Sequence, residues 1–264
     1  MIAIEHCTKY FHRSSVNEVL ALNDIGLQVA SGDFITVIGS NGAGKSTLLN
    51  ALAGSFLLDS GTITIGNLNI TRWPEYKRAK LIARVFQDPL LGTCPSATIE
   101  QNMALALRRG KRRGLGIGVR TGDRELFASE LAKIGLGLET RLQDRVGLLS
   151  GGQRQALTML MATLVRPEVL LLDEHIAALD PKTAGQILSL TREIVAEQGL
   201  TTLMITHNMK HAIEFGNRLI MLHQGRVILD VSGEKKSSLS VDDLLHQFYK
   251  VQGEELANDS MLLT

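Results

Sequence analysis

The sequence predicts an α/β protein with a parallel central sheet, an antiparallel β element near its start and a helical insert, and three observations carry that prediction. Val169-Leu-Leu-Leu172 is an all-apolar run of strand length, as a strand covered on both faces of a parallel sheet requires. Phe34–Ile38, a glycine-rich turn and the periodic stretch Ser46–Ala53 read as strand, loop and helix. Between about 90 and 150 the strand signals vanish and helical spacing replaces them.

Taken in order, residues 2–8 alternate like a half-buried strand, and Leu20–Asp33 holds further alternating stretches, which makes the antiparallel element. The helix from Ser46 stops at Gly54, a C-cap glycine, and Thr62–Ile65 is another strand. Ala97–Leu107 and Asp123–Ile134 are helical, placing the insert at about 90–155. From Gln153 the α/β pattern returns: a helix to Val165, the strand Val169–Leu172, a helix from about Lys182 to Gly199, and a strand Leu203–Thr206. Leu219–Leu222 and Arg226–Val231 flank Gln224-Gly225 as a hairpin. A last helix starts near Ser240, with Asp243 as capping-box partner and Leu244, Leu245 and Phe248 on one face; residues after about 252 read as frayed.

At 264 residues the chain holds one large domain or two small ones. Lys plus Arg is 28 and Asp plus Glu is 27, for a net charge of +1, which excludes a polycation that coats nucleic acid. Aromatic residues are 4%, too few for a base-stacking surface, so no nucleic-acid partner is expected. Cys7 and Cys94 form neither a disulfide framework nor a zinc cage; they read as filler in a reducing compartment. Met1–Tyr10 lacks the features of a signal peptide, and no apolar run approaches the roughly 18 residues of a membrane span. The protein is expected to be soluble, or held at a membrane by another component.

The chemistry begins at Gly39-Ser40-Asn41-Gly42-Ala43-Gly44-Lys45-Ser46, which fits G-x-x-x-x-G-K-[ST] between a strand and a helix. Glycines let successive amides face an anion, and the helix start adds its positive end. Lys45 would neutralise the β- and γ-phosphates, Ser46 would ligate Mg²⁺, and Thr47 would add a phosphate contact. A dinucleotide-type G-x-G-x-x-G is rejected because Thr47 stands where its last glycine belongs. The apolar strand ends in Asp173-Glu174, at the crevice where ligands bind in such sheets. Asp173 would hold Mg²⁺ through water, leaving Glu174 to orient and deprotonate the attacking water.

Leu149-Ser150-Gly151-Gly152-Gln153 opens a second helix with glycines, Ser150 also being a fitting N-cap. With the other motifs it resembles the signature of the ATP-binding cassette (ABC) ATPases, and the likeness extends over about residues 2–231 in the family order. It implies a P-loop NTPase fold of RecA-like type, a cassette domain at 1–231 and a short helix and tail at 232–264, too short for an added regulatory domain. It also implies ATP as substrate and a role for each matching residue. Gln87 corresponds to the Q-loop glutamine at Mg²⁺ and the attacking water, Asp180 to the D-loop aspartate between subunits, and His207 to the switch histidine at the γ-phosphate. An aromatic residue stacks on adenine; Phe11 and Tyr10 both fit, with Phe11 preferred by its spacing from Lys9. His175 departs from the proline that many members carry after the catalytic glutamate, which alters the approach to the D-loop.

In that family the signature of one subunit closes over the ATP of the other, and this chain has one of each motif. A homodimer follows, with Ser150, Gly152 and Gln153 acting in trans, at the cytoplasmic face of a membrane. The implied partners are transmembrane permease subunits and an extracytoplasmic binding protein. Thr98-Ile-Glu-Gln-Asn102 resembles importers more than exporters. Gly92-Thr-Cys94, Asp173-Glu-His175 and Thr206-His-Asn208 resemble a bacterial subgroup associated with aromatic amino acids, although a cassette does not touch its cargo. A soluble ABC ATPase acting on ribosomes or DNA ranks second, lacking here a second cassette or coiled coil. Another P-loop enzyme, such as a kinase, ranks third. His207 and His211 lack the glutamate of a zinc-protease motif, Asn208 standing in its place. The basic run 108–113 reads first as a solvated loop and second as a contact with acidic headgroups or a permease loop.

Overall fold

A computed structural model describes residues 1–111 and 118–250. In chain order the elements are β1 (Ile2–Phe11), β2 (Val19–Val29), β3 (Phe34–Gly39), α1 (Lys45–Ala53), β4 (Ser60–Ile65), β5 (Leu68–Asn69), α2 (Glu75–Arg78) and β6 (Ile82–Val85). There follow α3 (Ile99–Leu107), α4 (Thr121–Ile134), a 3-10 turn at Val146–Leu148, α5 (Gly151–Thr163), β7 (Val169–Asp173), α6 (Pro181–Gln198) and β8 (Thr201–Ile205). The chain continues through α7 (Met209–Glu214), β9 (Arg218–His223), β10 (Arg226–Ser232) and α8 (Gly233–Ser237) to a last helix, α9, at 241–250.

Two sheets result. One is antiparallel in the order β2-β1-β4-β5; the other runs β10-β9-β3-β8-β7-β6, parallel from β9 to β6, with β10 added antiparallel through the predicted hairpin. The apolar run of β7 is explained by where its side chains go. Val169 and Leu171 join the core shared by α1 and the antiparallel sheet, while Leu170 and Leu172 join the core under α5 and α6. A third cluster unites α3, α4 and α5 through Met103, Phe127, Leu131 and Leu157. Leu244 of α9 packs with Ala212 and Met221, and the Ser240–Asp243 capping box is present.

Because β3, β6, β7 and β8 are parallel, the loops that follow all four leave the sheet at the same edge. That edge receives Gly39–Lys45, Gln87, Asp173-Glu174 and Thr206-His207.

Two buried cations and a half-buried one escape the sequence reading. Arg78, 1% exposed, donates to the carbonyls of Ala51 and Leu52 at the end of α1 and to those of Thr71 and Trp73. The carbonyls of Ala51 and Leu52 are orphan acceptors at a helix end, which a cation satisfies well. Lys236 does the same for Ile213, Phe215 and Gly216 at the end of α7. Arg109 corrects the solvated reading of the basic run: it donates to the carbonyls of Ala162 and Val165 at the end of α5, and burial lowers its pKa. Arg108 donates to Gly118, whereas Arg112 and Arg113 lie outside the described residues, as do those after 250.

Candidate active site

The loop between β3 and α1 owes its shape to glycine and to its own lysine. Gly44 has φ 98°, and a Cβ there would lie 2.5 Å from the carbonyl oxygen of Ala21, so the position admits no side chain. Helix α1 starts without a side-chain cap, leaving the amides of its first turn available to an anion. Lys45 Nζ donates to the carbonyls of Gly39 at 2.9 Å and Ser40 at 2.8 Å, and burial lowers its pKa. An ammonium carries three donors, so one remains for a ligand.

A cavity of about 310 Å³ opens on this loop, lined by Phe11, Val19, Asn41, Gly42, Gly44, Lys45, Ser46, Thr47, Glu174 and His207. Of the two aromatic candidates, Phe11 faces it, standing edge-on to Phe56 at 5.3 Å, while Tyr10 sits under Arg13. Glu174 occupies a left-handed conformation at φ 47°, a strain of about 1–2 kcal/mol for a residue with a Cβ. Its Oε1 lies 2.5 Å from His207 Nε2, which can donate to it. His207 is presented by a turn in which Asn208 bonds back to Thr206 Oγ1 and caps α7.

Asp173 is directed elsewhere. One carboxylate oxygen is 3.4 Å from Ser46 Oγ, the other 2.6 Å from an Arg84 nitrogen, and Asp173 shares an adjoining cavity of about 410 Å³ with Gln87. Ser46, Asp173 and Gln87 offer oxygen ligands only, a donor set suited to a hard divalent cation such as Mg²⁺.

The signature segment is not part of either cavity. Ser150 caps α5 in a reciprocal box with Gln153, both bonds at 3.2 Å. Ser150, Gly152 and Gln153 line a third cavity of about 660 Å³ with Lys182 and Thr183 of α6. Gly152 permits the close approach of α6, since a Cβ there would meet Thr183 Cγ2 at 2.2 Å. A Cβ on Gly151 would meet only Leu179, at 3.6 Å. Asp180 caps α6 beside this surface, and its bonds to Thr183 lower its pKa.

His175 points away from the reacting groups. It is 2% exposed, with Nε2 3.2 Å from Thr191 Oγ1 on α6. Thr191 spends its hydroxyl proton on the carbonyl of Ile187, so Nε2 is the donor and Nδ1 is left without a partner. Burial lowers the imidazole pKa from 6.5 to about 4. The folded state therefore resists a proton that the unfolded chain accepts. The stability this confers is whole above about pH 6.5 and is lost as pH falls toward 4, by about 3 kcal/mol. In denaturant unfolding from pH 7.5 to 4.5, His175→Asn should lose that much less than the parent protein; equal losses would count against the assignment.

Comparison with known proteins agrees with this geometry. The ABC transporter family model matches residues 22–177. The chain is 46% identical to a tyrosine transport ATP-binding protein of Clostridioides difficile (strain R20291), covering 94% of this chain and 98% of that protein. It is 31% identical to the methionine import ATP-binding protein MetN of Streptococcus agalactiae serotype III (strain NEM316), covering 92% and 68%. Among solved structures, a dimeric post-hydrolysis ATP-binding cassette bound to ADP and Pi superposes with a TM-score of 0.75 at 28% identity, covering 88% of this chain and 98% of that one. The chain thus belongs to the ABC transporter family as an ATP-binding subunit, and it is an ATPase.

Proposed function

We propose that this ATPase powers the uptake of an amino acid through a membrane permease and works as a homodimer around two ATP molecules. One observation carries the dimer: the cavity that holds the P-loop, Glu174 and His207 contains no residue of the signature segment, which lines a separate cavity. A second copy completes the site, its Ser150, Gly151, Gly152 and Gln153 closing over the nucleotide while Asp180 communicates across the interface. Phe11 stacks on adenine. The loop amides and Lys45 hold the β- and γ-phosphates; Glu174 orients the attacking water and accepts its proton, and His207 holds Glu174 and contacts the γ-phosphate. Ser46, Asp173 and Gln87 would hold Mg²⁺, which would supply neutralisation of the phosphate charge.

The permease has a place to dock. A groove of about 760 Å³ lies where α2 and β6 meet α3 and α5, with Phe86, Leu105 and Met161 among its apolar residues and Lys80, Arg108 and Lys111 among its basic ones. Leu91, also in its lining, is 70% exposed. Among the described residues no helix is long and apolar enough to cross a membrane, which fits a subunit held at the cytoplasmic face by such a contact. An extracytoplasmic binding protein delivers the cargo. The tyrosine and methionine relatives make an amino acid the first cargo to test, with tyrosine foremost.

Uptake of labelled tyrosine should fall to background in a strain lacking this subunit and return with the wild-type gene but not with Glu174→Gln. Unchanged uptake of tyrosine and of competing amino acids would refute the cargo class and leave the ATPase assignment standing.

A further inference from the structure

Arg84 sits inside the short strand β6, three residues before Gln87. Its guanidinium forks to two other elements: one nitrogen donates to Asn50 Oδ1 on α1 at 2.5 Å, the other to Asp173 Oδ2 at the end of β7 at 2.6 Å. The fork is packed against Phe86, with Cζ 4.5 Å from the ring centroid. The side chains of Arg84 and Asp173 are 14% and 13% exposed.

As a stabilising device this is poor. Arg84 Nε is buried with no partner, and a buried ion pair returns little beyond its own desolvation. What the fork does supply is direction. With Oδ2 committed to Arg84, the carboxylate turns Oδ1 toward Ser46 Oγ, 3.4 Å away. Asn50 lies on the same helix as Ser46, so the guanidinium spans the two elements that carry these oxygens.

We propose that Arg84 is a positioning residue for the divalent cation, holding Asp173 Oδ1 and Ser46 Oγ as a preset pair of oxygens and fixing α1 relative to β7. The inference rests on the Mg²⁺ assignment made above. Groups that orient metal ligands without touching the metal typically contribute 10- to 100-fold to its affinity. Opposing this, a positive charge beside the site repels a cation, so removal of Arg84 would strengthen cation binding if charge outweighed orientation. The planar fork and its stacking, which fix geometry as a lysine cannot, favour orientation.

Equilibrium binding of a fluorescent ATP analogue to the full chain, in Mg²⁺ and in EDTA, decides the matter without reference to turnover. In the wild type, affinity is expected to be higher with Mg²⁺. In Arg84→Met the ratio of the two affinities is expected to fall about 10-fold, with EDTA affinity unchanged because the loop amides and Lys45 are intact. Arg84→Lys, which keeps the charge and loses the fork, should fall by an intermediate amount, and it carries the test alone if Arg84→Met does not fold. A wild-type ratio in Arg84→Lys, or an unchanged or raised ratio in Arg84→Met, would overturn the proposal. A wild-type protein indifferent to Mg²⁺ would instead remove the cation assignment itself, and the proposal with it.

Discussion

Glu174→Gln is expected to bind ATP about as well as the wild type, to accumulate as a closed dimer, and to hydrolyse on the order of 10²- to 10⁴-fold more slowly. The substitution keeps the shape of the side chain. An amide oxygen accepts from His207 Nε2 as Oε1 does at 2.5 Å, and nothing in the change alters the left-handed backbone at φ 47°. Ground-state contacts should survive, while the group proposed to take the proton of the attacking water is gone. Size-exclusion chromatography with ATP and Mg²⁺, beside a phosphate-release assay, reads both effects. Wild-type turnover in the variant would refute the role given to Glu174.

Ser150→Arg is expected to suppress hydrolysis by about 10²-fold or more while the isolated chain still binds ATP. Ser150 lines a cavity that shares no residue with the P-loop cavity, so in the proposed dimer the bulk and charge of arginine would fall on the second subunit's nucleotide and not on the chain's own. The variant also forfeits an N-cap, at a cost of about 1 kcal/mol, too little to unfold a domain of this size. Nucleotide titration of the monomer, paired with a turnover assay, separates the two. Loss of monomer binding would contradict action in trans.

Much of this site was legible because its determinants are local. The P-loop glycines, the apolar strand ending in Asp173-Glu174, the N-cap at Ser150 and the capping box at Ser240 each occupy a few consecutive residues, so spacing located them, while the return bond from Gln153 that closes a box at Ser150 emerged only from the structure. What stayed hidden depends on contacts distant in sequence. Strand β6 reads as nothing because Arg84 interrupts four residues whose other members are apolar, and its partner lies 89 positions away. Arg78 and Arg109 look like surface charges until the helix ends they satisfy are known. Strand β8 begins two residues before its expected start because Thr201 and Thr202 are buried despite their hydroxyls. Helix α7, six residues long, is too short to show a period.

Lys45 complicates the reading of any loss-of-function allele at its own position. Its ammonium is a keystone for the loop, tied to the carbonyls of Gly39 and Ser40, as well as a hand extended to the ligand. An alanine there would remove an arch support and the proposed phosphate contact together. Arginine restores the charge but not a compact head that can sit between two carbonyls and still reach outward. Loss of activity in such an allele would measure the collapse of a receptacle as much as the loss of one bond, and Glu174→Gln is expected to be the cleaner instrument for stopping this motor with its nucleotide in place.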